Sequence, residues 1–349
     1  MTTWSQVIAT YNRFDMLKRS LELNAQQTRP PKQIIVVDSS ADWQDSQSYV
    51  LENIAPNYPD IEWIYIEAEH RSSALQRNQG MQYVTSDVLF MFDDDSLPFA
   101  DCAENVMAVY DADTENAVAG VNASHVPEKP GDLKDVDFEI VEEYATTKKY
   151  SGFVKGLRKL LKADDVFVDY DPIPPNNRVP ENLKHLSLFP RKVLVGWGMT
   201  FRTELAKKEP FEGILKNYAA GEDSDMSYRV SRHGKLLTAT NARLHHVGSV
   251  GGRMPLFVVA ALGALNPLVL HRLHSTDLSR SKTLSFKLLM RRCLIMLSKD
   301  LSKRRLSLPS ARGYLYAIFY FRKIFSMGKE ELRAWYPGFQ AELIATKKR

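Results

Sequence analysis

The sequence has little cysteine, and this limits what can hold the protein together. Its 349 residues include two cysteines, Cys102 and Cys293, which lie far apart along the chain. Two such residues provide neither a disulfide framework nor the ligand spacing of a zinc site. The N-terminus also lacks the basic segment and apolar run of a secretory signal peptide. We therefore expect a cytoplasmic protein whose core forms by burial of apolar side chains.

Acidic residues are scarce in one part of the chain and abundant in another. Residues 271–325 contain 2 acidic and 13 basic side chains, whereas residues 1–150 contain 26 acidic and 11 basic ones. The two regions are therefore expected to face different partners. Nucleic acid is not an expected partner, because the acidic N-terminal half would repel it.

Strand-like and helix-like segments alternate over the first 120 residues. The apolar runs QVIAT, QIIVVD, IEWIYIE, DVLFMF and AVAGV are separated by segments with helical spacing. This alternation predicts an α/β fold with a Rossmann-like, mostly parallel sheet flanked by helices. Ligands of such sheets bind outside the carboxyl ends of the strands, where Asp38 and Asp93–Asp95 are expected to lie.

Three consecutive aspartates, Asp93–Asp95, follow the apolar run VLFMF. One aspartate would be enough to cap a helix or form an Asx turn, and three adjacent carboxylates repel one another. Carboxylates at positions i and i+2 can hold a magnesium or manganese ion that also binds a diphosphate. The triplet therefore predicts a divalent-cation site, with a simple cap as the alternative.

Two further motifs carry side chains that could do chemistry. In GEDSDMSYR, Asp223 lies at the start of a predicted helix, where the helix dipole stabilises a carboxylate. It could act as a general base toward a hydroxyl, although helix capping explains it equally well. In ARLHHVGS, adjacent histidines on a strand point to opposite faces, and His246 could complete a metal shell. A structural histidine is the alternative there.

In order and spacing, these motifs resemble family-2 glycosyltransferases of the GT-A fold. The resemblance covers residues 5–250 and rests on VIATYNR, QTRPPKQIIVVDSS, RSSALQRNQGMQYVTSDVLFMFDDDSLP and VLVGWGMTFRTELAKKEPFEGILKNYAAGEDSDMSYRVSRHGK. It implies a metal-dependent, inverting enzyme that uses a nucleotide-sugar donor, a UDP-sugar by family resemblance. The acceptor would be a hydroxyl of a polysaccharide, a glycolipid or a lipid-linked oligosaccharide.

The resemblance also implies a role for each matching residue. The donor would be bound by Thr10, Asp38, Arg71, Arg77, Asn78, Asp93 and Asp94. The sugar and acceptor site would be formed by Gly196, Trp197, Gly198 and Glu222. The Mn²⁺ or Mg²⁺ ligands would be Asp93, Asp95 and His246, and Asp223 would be the base. Because the middle residue of the usual D-x-D motif is itself acidic here, which two aspartates bind the metal stays open.

The predicted catalytic domain covers residues 1–253. Within it, residues 125–192 are rich in charge and proline and lack clear periodicity, so we interpret them as an insertion on the acceptor side. Residues 254–349 form a predicted helical, basic extension. Its segment 254–270 carries no charge and is marginal in length for crossing a bilayer, so a buried helical hairpin is its simpler interpretation.

The remainder of the extension alternates apolar residues with lysine and arginine. Basic amphipathic helices that carry Phe, Tyr and Leu are typical of segments lying on an anionic membrane. A solvated basic face or an oligomer contact would give the same pattern. We expect peripheral attachment to the inner face of the cytoplasmic membrane.

Two other functions fit parts of the sequence. A sugar nucleotidyltransferase also places acids at the edge of an α/β sheet, but its glycine-rich phosphate loop has no counterpart in ATYNRFDMLKR. A non-catalytic, membrane-docked subunit that binds a nucleotide-sugar or glycan would have no need to keep the predicted base and metal ligands together.

Overall fold

The computed structural model describes residues 2–133, 156, 167–248 and 254–346. The chain divides into two compact units. The first unit comprises Met1–Ala145, Pro175–Gly213 and Glu222–Gly252, and the second comprises Thr146–Pro174, Ile214–Gly221 and Arg253–Arg349. The predicted boundary at residue 253 stays a prediction, and much of the predicted insertion, 134–155 and 157–166, lies outside the described residues.

The described part of the first unit contains nine strands and six α-helices. The strands are β1 (Trp4–Thr10), β2 (Gln33–Asp38), β3 (Glu62–Glu67), β4 (Val88–Phe92), β5 (Ser96–Pro98), β6 (Val118–His125), β7 (Leu188–Pro190), β8 (Gly198–Arg202) and β9 (Lys235–His246). The helices are α1 (Phe14–Ala25), α2 (Trp43–Tyr49), α3 (Ser73–Met81), α4 (Cys102–Ala112), α5 (Thr203–Lys208) and α6 (Glu222–Val230). Short turns of other helical types are Val50–Ile54, Ala55–Asn57, Gly131–Leu133 and Glu181–Leu183.

These strands form one sheet in the order β3-β2-β1-β4-β8-β6-β9-β5, with β7 also paired to β9. The predicted central sheet flanked by helices is confirmed. It is mixed rather than mostly parallel, because β8 runs antiparallel between β4 and β6, while β5 and β7 run antiparallel to β9. Strands β2 and β4 are buried along their whole length, which explains why they consist of continuous apolar runs.

Among the described residues, two clusters of buried apolar side chains lie on the same face of the sheet. One contains Ile8 and Val36 with Leu17 and Leu21 of α1, which lie four residues apart on one face of that helix. The other is built around Phe90, whose ring centroid lies 4.2 Å from that of Trp4. The sheet core thus fixes the strand ends that carry the polar residues.

Strand register brings the predicted site residues to one edge of the sheet. Thr10 and Asp38 are paired at the carboxyl ends of the parallel strands β1 and β2. Ser96 of β5 is paired with His246 at the end of β9, directly after the aspartate triplet. The backbone N–H of Val247 donates to the carbonyl oxygen of Asp95 at 3.0 Å, which fixes the triplet against β9.

The second unit contains four long helices among its described residues: α7 (Leu256–His274), α8 (Leu278–Ser302), α9 (Pro309–Ser326) and α10 (Lys329–Thr346). This agrees with the predicted helical C-terminal region. Helices α7 and α9 pack closely, since a Cβ atom on Gly313 would lie 2.7 Å from the Cβ of Ala260. Asn266 of α7 is buried, and its side chain accepts hydrogen bonds from Tyr336 and Gln340 of α10.

Of the described helices, α7 alone has the length and apolar composition of a membrane span, with 61% of its most apolar window buried. Core helices of soluble proteins share this property. The hydrogen bonds of Asn266 and the tight contact at Gly313 identify α7 as the central helix of the second unit.

Gly80 allows α3 to pack directly on the sheet. A Cβ atom there would lie 2.5 Å from Cγ1 of Val7 and 3.2 Å from Cγ2 of Val37. Gly80→Ala should lower the free energy of unfolding by about 1–3 kcal/mol, because overpacking outweighs the better helix propensity of alanine. Denaturant unfolding of the full chain measures this. Gly213→Ala is the matched control, since nothing lies within 4 Å of that position. Equal stability of the two variants would contradict the packing argument.

Candidate functional site

Asp93, Asp95 and His246 form the only potential metal-ligating cluster found among the described residues. One ligand atom from each lies within 4.8 Å of the others. His246 Nε2 lies 3.2 Å from Asp95 Oδ1 and 3.9 Å from Asp93 Oδ2. Two carboxylates and an imidazole are a donor set that suits Mn²⁺, and the two oxygens also suit Mg²⁺. The residues present therefore fit a divalent cation.

Asp94 is held by other partners. Its carboxylate accepts a hydrogen bond from Thr10 Oγ1 at 2.8 Å and pairs with Arg13 Nη1 at 2.9 Å. Burial raises the pKa of Asp94 to about 7, against the lowering effect of Arg13. Arg13 also lies 3.7 Å from Asp95. The geometry thus favours Asp93 and Asp95 over Asp94 as the metal-facing pair.

Arg77 of α3 connects the aspartates to the start of α6. Its side chain is 3% exposed, and its guanidinium forms hydrogen-bonded ion pairs with Asp93 and with Glu222, the latter at 3.3 Å. Ser73, one helical turn earlier, donates to the same Glu222 carboxylate. One buried cation therefore joins the potential metal site to the predicted base region.

Glu222 and Asp223 are adjacent carboxylates in different surroundings. Burial and the neighbouring Asp223 charge raise the pKa of Glu222 to about 8, opposed by Arg77. Burial also raises the pKa of Asp223, but backbone N–H groups oppose this. Gly196 donates to Asp223 Oδ2 at 3.0 Å, and Ser224 donates to Oδ1 at 2.7 Å. The backbone donors therefore favour the ionised, oriented form of Asp223, whereas burial beside that charge disfavours ionisation of Glu222.

Two further predicted donor residues are Asp38, at the end of β2, and Arg71, in the loop between β3 and α3. Asp38 is buried and accepts hydrogen bonds from Tyr65 Oη at 2.6 Å and from Ser40 Oγ at 2.5 Å. The Arg71 guanidinium lies 3.4 Å from the centroid of the Tyr11 ring. These contacts produce a fixed acceptor and a flat cationic surface on the edge of the sheet.

Trp197 lies beside the metal-ligating cluster. Its ring stacks on the His246 ring with a centroid distance of 6.1 Å and an interplanar angle of 21°. Its backbone carbonyl accepts a hydrogen bond from Ser96 Oγ at 2.7 Å. The structure therefore brings the indole next to His246, and its predicted contact with a sugar stays a prediction.

Two predicted residues have packing roles that account for their positions. The Asn78 amide is hydrogen-bonded in both directions to the backbone of Phe211, at 2.8 and 3.0 Å. Gly198 packs against Asn122, whose Nδ2 would lie 3.0 Å from an added Cβ. Their predicted donor and acceptor roles stay predictions.

Sequence reasoning missed Arg13, Tyr65 and Ser73, whose side chains hold the predicted acids in place. Arg13 ends the motif VIATYNR, and three aspartates expected at the same sheet edge need a nearby cation. Charge balance was therefore a usable signal for Arg13. Tyr65 and Ser73 gave no comparable signal, because their partners are set by strand and helix placement.

Comparison with known proteins adds to this geometry. Residues 5–162 match the model of glycosyl transferase family 2. This region is a family-2 glycosyltransferase domain. The predicted family resemblance is confirmed there, and the enzyme class is that of a glycosyltransferase. No curated protein sequence matches the chain at a significant level.

Solved glycosyltransferase structures are among those to which this chain is similar. GalNAc-T7 with UDP, GalNAc and Mn²⁺ has 14% identity and a TM-score of 0.52, covering 97% of this chain and 58% of that one. The mannosyltransferase PcManGT of Pyrobaculum calidifontis, in complex with GDP-Man and Mn²⁺, has 17% identity and a TM-score of 0.49, covering 99% and 86%. TarS 1–349 of S. aureus has 12% identity and a TM-score of 0.49, covering 97% and 92%. Together with the family match, the first of these confirms the GT-A fold class.

Removing one cluster carboxylate should weaken Mn²⁺ binding. We expect Asp95→Asn to raise the Kd for Mn²⁺ at least about tenfold, because a neutral amide replaces a charged oxygen ligand. Electron paramagnetic resonance of free Mn²⁺ measures the Kd. Asp101→Asn is the matched control, because Asp101 is a partly exposed acid paired loosely with Arg243 at 3.7 Å. Equal Kd values for Asp95→Asn and the parent protein would show that the cluster is not the Mn²⁺ site.

Glu222 should make stability depend on pH. A carboxyl group whose pKa rises on folding stabilises the native state below its unfolded pKa, and this contribution is lost as pH rises through the folded pKa. For Glu222 the window runs from 4.5 to about 8. We expect Glu222→Gln to remove this decline, so that its stability relative to the parent protein increases with pH across the window. Thermal unfolding measures the trend, with exposed Glu204→Gln as control. Parallel pH profiles for the Glu222 variant and the parent protein would contradict it.

Proposed function

We propose that this family-2 protein transfers a sugar from a UDP-sugar to an acceptor hydroxyl with inversion at the anomeric carbon. The acceptor is a polysaccharide, a glycolipid or a lipid-linked oligosaccharide. One observation carries the proposal: Arg77 joins the Asp93–Asp95–His246 cluster to the Glu222–Asp223 pair. The first unit therefore has one site that contains both groups able to bind a metal–diphosphate and a group able to accept the proton of a hydroxyl.

The donor nucleotide would lie along the ends of β1 and β2. Thr10 and Asp38 are paired there, and Asp38 offers a buried carboxylate to hydrogen-bond donors of the base or ribose. The Arg71–Tyr11 stack provides a planar surface on which a base can stack. The assignment of uridine rests on the family resemblance alone.

Asp93, Asp95 and His246 would hold Mn²⁺ or Mg²⁺, which neutralises charge on the diphosphate of a bound donor. Arg13 pairs with Asp94 and lies near Asp95, so it offsets the repulsion within the aspartate triplet. Arg77 offsets the charge of Asp93 from the other side. These two arginines let the carboxylates remain close together before a donor arrives.

Asp223 would remove the proton of the acceptor hydroxyl. As that oxygen bonds to the anomeric carbon, the bond from this carbon to the diphosphate oxygen breaks on the opposite face, and the configuration inverts. Backbone N–H groups of Gly196 and Ser224 fix the orientation of the Asp223 carboxylate. Burial raises the pKa of Asp223 and thereby makes it a stronger base than an exposed aspartate.

The proposal also assigns a role to each larger region of the chain. Residues 1–253 carry catalysis, with Trp197 next to the cluster as a surface for the sugar and residues 125–192 on the acceptor side. Residues 254–349 attach the enzyme to the anionic inner face of the cytoplasmic membrane. The excess of basic residues over 271–325 supports that attachment.

Replacing the proposed base should separate chemistry from binding. We expect Asp223→Asn to lower kcat by about 10²–10⁴-fold while UDP binding with Mn²⁺ stays within a few-fold, because general base catalysis contributes that much. Single-turnover assays over a panel of nucleotide sugars measure the rate, and calorimetry measures UDP binding. Glu204→Gln, an exposed acid on α5, is the control.

Product stereochemistry provides the second arm of this test. Proton NMR of the transferred sugar should show the anomeric configuration opposite to that of the donor. Retention of configuration, or an unchanged rate in Asp223→Asn, would refute the proposed mechanism. Pyrophosphate release from a nucleoside triphosphate and a sugar phosphate would instead identify a nucleotidyltransferase.

A further inference from the structure

Helix α8 of the second unit exposes a stripe of large apolar side chains. Phe286, Met290, Leu294 and Leu301 are 40%, 40%, 47% and 57% exposed. At 3.6 residues per turn these four positions fall within about 80° of one another around the helix axis. Isolated exposed leucines are ordinary on protein surfaces, whereas an aligned set on one helix face indicates a surface that meets an apolar phase or partner.

Basic residues flank this stripe, and acids are absent from the exposed surface of its hairpin. Lys282 and Lys287 are exposed and lie on either side of the stripe. Residues 278–326, which form α8, α9 and their connection, contain twelve lysines and arginines and a single acid, Asp300. Because Asp300 is 0% exposed, it does not offset the positive potential of the surface.

The turn between α8 and α9 continues the same pattern at the end of the stripe. Its sequence Lys303-Arg304-Arg305 is followed by Leu306, which is 90% exposed. The turn is held by Asp300, whose Oδ2 accepts hydrogen bonds from the backbone N–H groups of Ser310 and Ala311 at 2.8 and 3.0 Å. A buried carboxylate therefore fixes the connection that presents Leu306.

Two residues of this turn have unusual backbone angles. Arg304 and Leu308 have φ values of 53° and 47°, in the left-handed region that residues other than glycine rarely adopt. Surrounding structure must compensate for such conformations, and here the backbone N–H groups of Arg304 and Leu308 donate to the carbonyl oxygens of Leu301 and Arg305 at 3.0 and 2.9 Å. The turn is thus specified by its sequence and contacts, which is the behaviour expected of a preformed binding element.

We propose that the α8 stripe and Leu306 insert into the headgroup–acyl boundary of an anionic bilayer, with α8 lying in the membrane plane. Lysine and arginine beside the stripe contact lipid phosphates, while the apolar side chains leave water. This inference rests on the membrane attachment in the proposed function and assigns it to particular residues. It places the contact on α8 and the α8–α9 turn, and leaves α7 as a core helix.

Charge complementarity selects the bilayer over the other occupants. In a two-fold dimer through α8, two equally basic faces would meet and repel. Nucleic acid would match the charge, but Phe286 is the one aromatic ring of the stripe and packs against Phe321 at a centroid distance of 5.1 Å, so the stripe has no series of rings on which bases could stack. An anionic bilayer offers both the negative surface and the apolar interior that the stripe requires.

The test measures flotation of the full chain with vesicles of two compositions. One contains equal parts of phosphatidylcholine and phosphatidylglycerol, and the other contains phosphatidylcholine alone. We expect binding to the anionic vesicles, and a loss of about tenfold or more in the triple variant Met290→Ser, Leu294→Ser, Leu301→Ser. The matched control replaces exposed apolar residues of the first unit with serine. These are Leu51, Tyr83 and Phe189, which are 40%, 44% and 57% exposed.

A second measurement reports insertion directly. In the variant Leu306→Cys, an environment-sensitive dye is attached to the introduced thiol. Its emission should shift to the blue when the protein binds anionic vesicles, whereas the same dye attached in the variant Tyr83→Cys should not respond. The native cysteines, Cys102 and Cys293, are buried. A dye at position 306 that reports water in the vesicle-bound protein would overturn the inference.

The other outcomes are equally decisive. Unchanged vesicle binding in the triple variant refutes insertion by the stripe. Insertion is also refuted if vesicle binding is lost only when the charges of Lys303, Arg304 and Arg305 are reversed. If the protein binds no vesicles and forms a dimer that the triple substitution disrupts, the stripe is instead a contact with a second copy of the chain.

UDP and Mn²⁺ binding in solution is measured in parallel. If it persists without vesicle binding, only the membrane inference fails, whereas vesicle binding without nucleotide binding refutes the proposed enzyme instead.

Discussion

The site depends on one buried cation that holds carboxylates from two distant parts of the chain together. Arg77 is almost fully buried and pairs with Asp93 after β4 and with Glu222 at the start of α6. Bringing buried carboxylates together without a counter-charge would be unfavourable, because each loses hydration and repels the others. A single guanidinium can bind both because its donors point in several fixed directions. Lysine, with one compact charge, could not replace it equally well.

The position of Arg77 is in turn set by apolar packing. Helix α3 lies against β1 and β2 at Gly80, where even a methyl group would collide with Val7. This contact sets the distance between the helix and the sheet, and so the reach of a side chain one turn earlier. Arg13 and Asp94 show the same division of roles: the connection between β1 and α1 places Arg13 beside Asp94, and the ion pair forms there. Electrostatic order at the sheet edge is thus a consequence of packing beneath it.

The fold class was predictable because buried strands leave a simple trace in sequence. The runs QIIVVD and VLFMF are buried along their whole length; the first ends in Asp38, and the second is followed by Asp93. The antiparallel strand β8 was not predictable in its place, because strand order depends on contacts remote in sequence. The pairing of Ser96 with His246 is another contact between residues remote in sequence. It explains why His246 reaches Asp95 while the adjacent histidine does not.

The same limit applies to the paired acids of α6. The sequence pattern places both Glu222 and Asp223 at a helix start, but it does not give the different partners of the two carboxylates. The structure distinguishes them, because Asp223 accepts two backbone N–H groups while Glu222 faces Ser73 and Arg77. Backbone donors stabilise the ionised form of Asp223 without carrying a titratable charge of their own, whereas burial and the Asp223 charge raise the pKa of Glu222. Two consecutive acids therefore acquire different surroundings from the way their side chains are oriented, which no spacing rule in the sequence encodes.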